Sequence, residues 1–368
     1  MYLIDKRKMV FVIALALLLV TLLPGCKAGE PGDSASEAPT EPAEVYEAGT
    51  LVFDTDGVAR LYGQEDGEVK VIKTYADWMT ATYDYDALPW QNEKLSIVHV
   101  VMKDGAIPAS INHWFRECSN LVSVTLPEGL TVIGDCAFFA CLALTEIHIP
   151  DGVTAINAFA FYCCENVESF AIPNSVTSIG DSAFAGCTKL TDFVFPDGIT
   201  SLGSHVLAAC SGLTSVTIPD GVTSIGRYAF TDCTGLDAID IPDSVTEIEF
   251  AAFERCTGLK SIIIPDGVTT ISSTVFRGCI SLESITLPEG LQLIGGDAFG
   301  KCESLTSITI PSTVTKMAYW AFRDCPNLTE ITFTGTIAQW VAMKKETSWC
   351  ENTPVKKIQC SNGTLGSD

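Results

Sequence analysis

Ten cysteines, Cys118, Cys141, Cys164, Cys187, Cys210, Cys233, Cys256, Cys279, Cys302 and Cys325, stand 23 residues apart without a slip. Nine prolines keep step, from Pro127, Pro150 and Pro173 to Pro288 and Pro311, each nine residues after a ladder cysteine. A fixed period of this length means one supersecondary unit copied and stacked. A chain of 368 residues has room for two or three compact domains, but the repeat favours one elongated body in which each unit touches its neighbours.

The unit can be read chemically. Leu recurs three residues after the cysteine, as in Leu121, Leu144, Leu190, Leu213, Leu259 and Leu305, and apolar residues follow at plus six and plus eight, such as Val124 with Leu126 and Ile308 with Ile310. Alternation at a spacing of two is a strand with one buried face. Proline at plus nine ends it, having no N–H to give to a ladder. Turn chemistry follows, as in Pro219-Asp220-Gly221, then a second short extended piece carrying Val222 and Ile225. Phe138, Phe161, Phe184, Phe230, Phe253, Phe276, Phe299 and Phe322 lie three residues before a cysteine, which predicts a short helical turn with Phe and Cys on one side. Leu207 replaces one phenylalanine and predicts a less filled coil there. The expected architecture is a repeat solenoid of roughly eleven coils about 4.8 Å apart, with a parallel β-sheet on one face and short helical or irregular turns on the other.

The consensus Cys-x-x-Leu-x-x-Ile-x-Ile-Pro-x-x-Val-x-x-Ile-x-x-x-Ala-Phe resembles the leucine-rich repeat of treponemal and BspA-type bacterial surface proteins, over about residues 95–345. A degenerate first coil includes Pro89-Trp90 and residues 100–105, and Thr334-Gly335-Thr336 with Ala338-Gln339-Trp340 resembles the closing unit of that family. The resemblance implies ligand binding on the outward positions of the main strand, in adhesion to or recognition of host or neighbouring-cell proteins. A cell-envelope scaffold or polysaccharide-capture protein is the alternative.

Outside the repeats, Lys6-Arg7-Lys8 precede the apolar run from Met9 to Leu23, the order of a secretory signal spanning residues 1–25. Leu23-Pro24-Gly25-Cys26 resembles the lipobox of bacterial lipoproteins, which implies lipidation of Cys26 and an exported chain anchored on the outer face of the bacterial membrane or cell surface. Residues 26–48, rich in Gly, Pro, Ser, Ala and Glu, read as a flexible tether. Residues 49–94 read as a small β-containing N-terminal cap with a hairpin, and 346–368 as a C-terminal cap. Asp54-Thr55-Asp56-Gly57 is turn chemistry and lacks the further ligands of a calcium loop. Tyr75, Trp78, Tyr83, Tyr85 and Trp90 either cover the open end of the core or stack on sugars.

The formal charge is −23, and removal of the basic leader would make it more negative, so nucleic acid is excluded as an expected partner. A thiol column with one member per coil reads as small buried hydrophobes rather than disulfides, because equivalent Cβ atoms about 4.8 Å apart exceed the usual disulfide separation of about 3.8 Å. Cys136 and Cys163 lie off the column and stay open; Cys350 and Cys360, both in the terminal cap, are the candidate disulfide. No CxxC pair occurs, and His99, His113, His148 and His205 fall in unrelated positions, so no metal site, cofactor or catalytic constellation is expected.

Two surfaces remain. Asp151, Asp197, Asp220, Asp243 and Asp266, with Glu128 and Glu289, form an acidic ridge at the turn after proline, readable as turn preference or as weak divalent-cation binding. Outward strand positions supply the candidate binding face: Ser123, Thr125, Glu146, His148, Asp192, Val194, Ser215, Thr217, Asp240, Ile263, Ser284, Thr286, Ser307 and Thr309. Such a broad, repetitive face suits an extracellular protein or glycan better than a small molecule. The oligomeric state is open.

Overall fold

The computed structural model describes residues 46–53, 58–62, 69–74, 90–105 and 110–366. The signal, Cys26, most of the tether, the turn at 54–57 and Tyr75, Trp78, Tyr83 and Tyr85 lie outside the described residues.

The coils stack in parallel with the 23-residue register that the sequence demands. In the main strand column Asp192–Val194 pairs with Ser215–Thr217, Ser261–Ile263 with Ser284–Thr286, and Ser307–Ile310 with Glu330–Phe333. A second column of two-residue strands follows the proline turn, for example Ser201–Leu202 beside Ser224–Ile225 beside Glu247–Ile248. Between the columns lies one continuous core in which the ladder cysteines, their Leu partners and the phenylalanines are 0–1% exposed.

Phe and Cys share the buried side as their spacing predicts, but the turn between them is a single i to i−3 turn that does not continue into a helix. Alternate N–H groups leave the coil: Phe138 donates to the carbonyl of Ala160 at 2.8 Å and Phe161 to that of Ala183 at 2.7 Å, whereas Cys141 donates back to Phe138 at 3.2 Å. A helix needs every N–H to turn inward, so none propagates. Two residues per coil take positive φ, five and one before the cysteine, as in Phe159 and Cys163, both at 57°. Left-handed geometry costs a non-glycine residue about 1–2 kcal/mol. Inter-coil bonds over-determine it here, and Gly186 and Gly278 relieve it at two corners.

Each cysteine after the first donates its Sγ–H to the carbonyl of the phenylalanine position in the preceding coil. Sγ–O distances run from 3.0 to 3.4 Å, from Cys141 onto Phe115 to Cys325 onto Phe299. That carbonyl already accepts the N–H of its own coil's cysteine, so both lone pairs are used. Leu207 keeps the arrangement, with Cys233 Sγ at 3.1 Å from its oxygen. The cysteines are therefore donors as well as small hydrophobes. Burial pushes all ten thiols up, those of Cys118, Cys210 and Cys325 to about 12 and the other seven well above their ordinary range. Cys136 and Cys163 are unbridged and half-buried.

Phenylalanines form a second column, with successive rings nearly parallel at 5.1–5.7 Å between centroids. At Leu207 it breaks, yet Leu207 is fully buried. Strand-side rings pack on the last phenylalanine before the break: Phe184 meets Phe170 and Phe193 edge-on, each at 4.8 Å, and Phe193 meets Phe195 at 4.7 Å.

At both ends the main strand column finishes in antiparallel strands. At the N-terminal end Thr50–Phe53 runs parallel to His99–Met102 and antiparallel to Val58–Tyr62, which pairs with Val69–Thr74. Trp90 is fully buried, stacked on Phe115 at 6.1 Å and edge-on to Phe53 at 5.2 Å, so it extends the ring column as a lid. At the other end Thr336 and Gln339 form a capping box that starts the helix Ile337–Ala342. The inserted helix lengthens that coil, so Lys357–Cys360 pairs with Glu330–Phe333 and the stack continues past residue 345 before Gly363–Gly366 turns back on it. Cys350 and Cys360 are free, correcting the expected bridge: Cys360 lies in the main strand column and Cys350 in the turn against Trp320–Asp324.

Unfolded thiols release protons near pH 9, while the folded ones hold them to about 12 or beyond. Over that window the unfolded chain binds fewer protons, so stability, intact below pH 9, falls by about 1.4 kcal/mol per pH unit per thiol. Circular dichroism in reductant should show cooperative unfolding as pH rises above about 9–10, reversed at neutral pH; an unchanged spectrum at about pH 11.5 would refute this origin. Phe253→Ala should cost about 3–5 kcal/mol in urea melts, and Phe253→Leu less than half as much.

Candidate binding face

The structure brings the predicted outward strand positions to one surface. Thr125, Glu146, His148, Asp192, Ser215, Thr217, Asp240, Ser284, Thr286, Ser307 and Thr309 are exposed, and Ser123 is half-buried with its hydroxyl 2.8 Å from His99 Nδ1. Val194 and Ile263 are 56% and 69% exposed, although the chain has a core that could hold them. Side chains alternate strictly: Phe193 and Ile262 point inward between Asp192 and Val194 and between Ser261 and Ile263. Most of the face is Ser and Thr, whose short side chains lose little entropy on contact.

Its electrostatics differ from those of the turn side. On the turn side Arg255 clamps Asp232 through two bonds of 2.6 Å, Arg277 joins Glu254 and Asp297 at 2.8 Å each, and Arg323 reaches Asp297 at 3.2 Å. Burial raises the Asp297 carboxyl, with Arg323 and Arg277 opposing the rise. On the strand face Glu146, Glu168, Asp192, Asp240 and Glu283 are exposed, and among the described residues no cation lies within ion-pair distance of them. Asp237, paired with Lys260 at 3.7 Å, is the exception.

Other candidate chemistry is dispersed. His113 is buried, and burial lowers its pKa; His205 is stacked on Tyr228 at 4.6 Å, with burial again lowering its pKa. Among the described residues no group of three His, Cys, Asp or Glu could hold a metal ion. The acidic ridge is present and exposed at Asp151, Asp197, Asp220, Asp243 and Asp266.

Sequence reasoning missed a longer period. The main column breaks every three coils: residues 169–171 form no strand, 238–240 keep only the bridge from Ala238 to Ser261, and Ser284–Thr286 does not pair with Ser307–Ile310. Among the described residues the second column breaks as well, between Ser178–Ile179 and Ser201–Leu202 and between Glu247–Ile248 and Thr270–Ile271. A signal was available, because Ser175, Ser244 and Thr313, 69 residues apart, replace the turn glycine of the other coils.

A family model described as BspA type leucine rich repeat region matches residues 111–237 and 223–342 with six copies. A leucine-rich repeat protein from Eubacterium ventriosum is 21% identical, with 84% of this chain and 97% of that one covered and a TM-score of 0.52, a likeness of fold. A leucine rich cell surface protein from Faecalibacterium prausnitzii is 26% identical over 82% and 92% of the two chains, with a TM-score of 0.44. The leucine-rich repeat protein of T. pallidum is 31% identical over 44% and 78%, with a TM-score of 0.42. No curated protein matches the chain.

Adjacent residues on one strand should respond oppositely to the same change. Ile263→Ser should alter stability by less than about 0.5 kcal/mol, while Ile262→Ser, 3% exposed, should cost more than about 2 kcal/mol in the same melt.

Proposed function

The chain belongs to the BspA-type leucine-rich repeat family, and from that premise we propose that it is a bacterial cell-surface binding protein that adheres to or recognises a host or neighbouring-cell protein through its main-strand face. The observation that carries this reading is the division of labour within each strand. Inward positions pack in or against the core, while most outward ones form an exposed sheet of short polar side chains broken by Val194 and Ile263. Repetition makes that surface long and shallow, a shape suited to a macromolecule. Catalysis has no part in the proposal, which rests on a family of binding proteins.

Export and anchoring belong to the same proposal. Lys6-Arg7-Lys8, the run from Met9 to Leu23 and the lipobox-like Leu23-Pro24-Gly25-Cys26 support a lipid on Cys26 that holds the solenoid at the outer face of the membrane or cell surface through a tether. A second reading, capture of polysaccharide in the cell envelope, would draw on Tyr319 and Trp320, 51% and 43% exposed on the turn side.

Solid-phase binding to extracellular-matrix proteins and to a glycan array separates the two. The proposal expects retention by a matrix protein that Ser284→Arg abolishes and Trp320→Ala leaves intact. Retention by glycans alone, lost with Trp320→Ala, would replace it with the second reading.

A further inference from the structure

The exposed aliphatic residues Val194 and Ile263 are three coils apart, and each stands directly after a broken coil. The outward residues of the broken coils are short, Ser169 with Ala171 and Ala238 with Asp240. In both coils a serine hydroxyl ties the turn back to the coil before, Ser175 to the Val153 carbonyl at 2.7 Å and Ser244 to that of Val222 at 2.6 Å. The coil that follows then lacks one inter-coil bond at the second strand column, while its turn-side bonds remain. Among the described residues the N–H groups of Thr200 and Thr269 do not reach Thr177 and Thr246, although Thr223 and Gln292 make the equivalent bond to Thr200 and Thr269 at 2.9 and 2.8 Å. Ile172 with Pro173, and Ile241 with Pro242, are left half-buried, whereas the equivalent Ile149 with Pro150 and Ile264 with Pro265 are buried. The same local construction therefore occurs twice, as a low shelf beside an aliphatic knob. After Thr313, the third member of the series, the corresponding outward residue is the half-buried Thr332.

Three coil spacings of about 4.8 Å separate the knobs by about 14 Å. In an extended polypeptide, side chains four residues apart point the same way and lie about 13–14 Å apart. Glu168, Asp192, Asp240 and Glu283 lie in the coils of the two knobs or the adjacent ones and, among the described residues, have no cationic partner; Lys260, in the coil of Ile263, is paired with Asp237. A second copy of this face would set like charges against them, which disfavours self-association; a cationic segment would be steered to them. We infer that Val194 and Ile263 with their neighbouring shelves are paired subsites for one extended, lysine- or arginine-rich protein segment, which seats two aliphatic side chains four residues apart while its cations face those carboxylates. This rests on the strand face being the binding surface and names the chemistry of its partner. Linking the two contacts makes the second intramolecular, so affinity depends on spacing as well as composition.

The test uses two synthetic lysine-rich peptides of identical composition, with two leucines four residues apart in one and adjacent in the other. Fluorescence anisotropy measures their binding to the full chain and to Val194→Ser, Ile263→Ser and the double variant, at low and physiological salt. The spaced peptide should bind at least ~10-fold more tightly than the adjacent one. Either single substitution should remove that advantage, and salt should weaken both peptides. Equal affinities on the unaltered chain, or an advantage that survives the double variant, would overturn the inference. So would sedimentation as a dimer that the double variant dissolves, which would assign the face to a second copy. If neither peptide binds while a matrix protein is retained and released by Ser284→Arg, this inference fails and the face remains the binding surface; if nothing is retained, both fail.

Discussion

Everything in the solenoid depends on how one backbone carbonyl per coil is satisfied. From Phe115 to Phe299 the oxygen at each phenylalanine position accepts the N–H of the cysteine three residues on and the Sγ–H of the cysteine one coil further. Without the Sγ–H that oxygen would keep its N–H bond and leave its second lone pair unused, and the loss would recur at every coil. A small side chain that is mostly apolar yet carries one weak donor meets the requirement. Cysteine does so without the strong hydration of a serine hydroxyl. The same thiols leave the solenoid vulnerable to alkali, because thiolates inside the column would have neither water nor counter-ions.

The turn side shows how stacking overrides local preference. A run such as Ala-Phe-x-x-Cys, with good spacing for a helical turn, gives up alternate hydrogen bonds to the next coil and accepts two left-handed residues in each unit. Those bonds are continuous along the turn side through the coils where both strand columns break. The turns thus behave as the spine of the molecule, and the strand side can vary. Ionic links reinforce the same side from Asp232 to Arg323. This division leaves the strand face free to carry unpaired charge and exposed Val194 and Ile263 without weakening the stack.

Much of this was legible in the sequence. Period, strand alternation, the proline stop, the identity of the core column and the outward face all follow from a side-chain rhythm that stacking repeats unchanged, because each coil sees the same neighbours. Cys118 to Cys325, Phe138 to Phe322 and Ser123 to Thr309 could therefore be placed from spacing alone. The family's strand-face position for ligands came by resemblance; the exposure of Val194 and Ile263 on that face is structural.

What tertiary structure decided lies where neighbouring coils differ or where backbone choices depend on the next unit. The thiol-to-carbonyl bonds, the left-handed corners, the packing of Phe170 and Phe193 on Phe184, and the lid formed by Trp90 all require coordinates of two coils at once. The three-coil seams were marked in the sequence by Ser175, Ser244 and Thr313, but a missing glycine has no meaning until one sees which carbonyl its replacement takes. The chain by itself fixes what repeats; contacts between unequal neighbours, which no single repeat contains, decide where the repetition is broken.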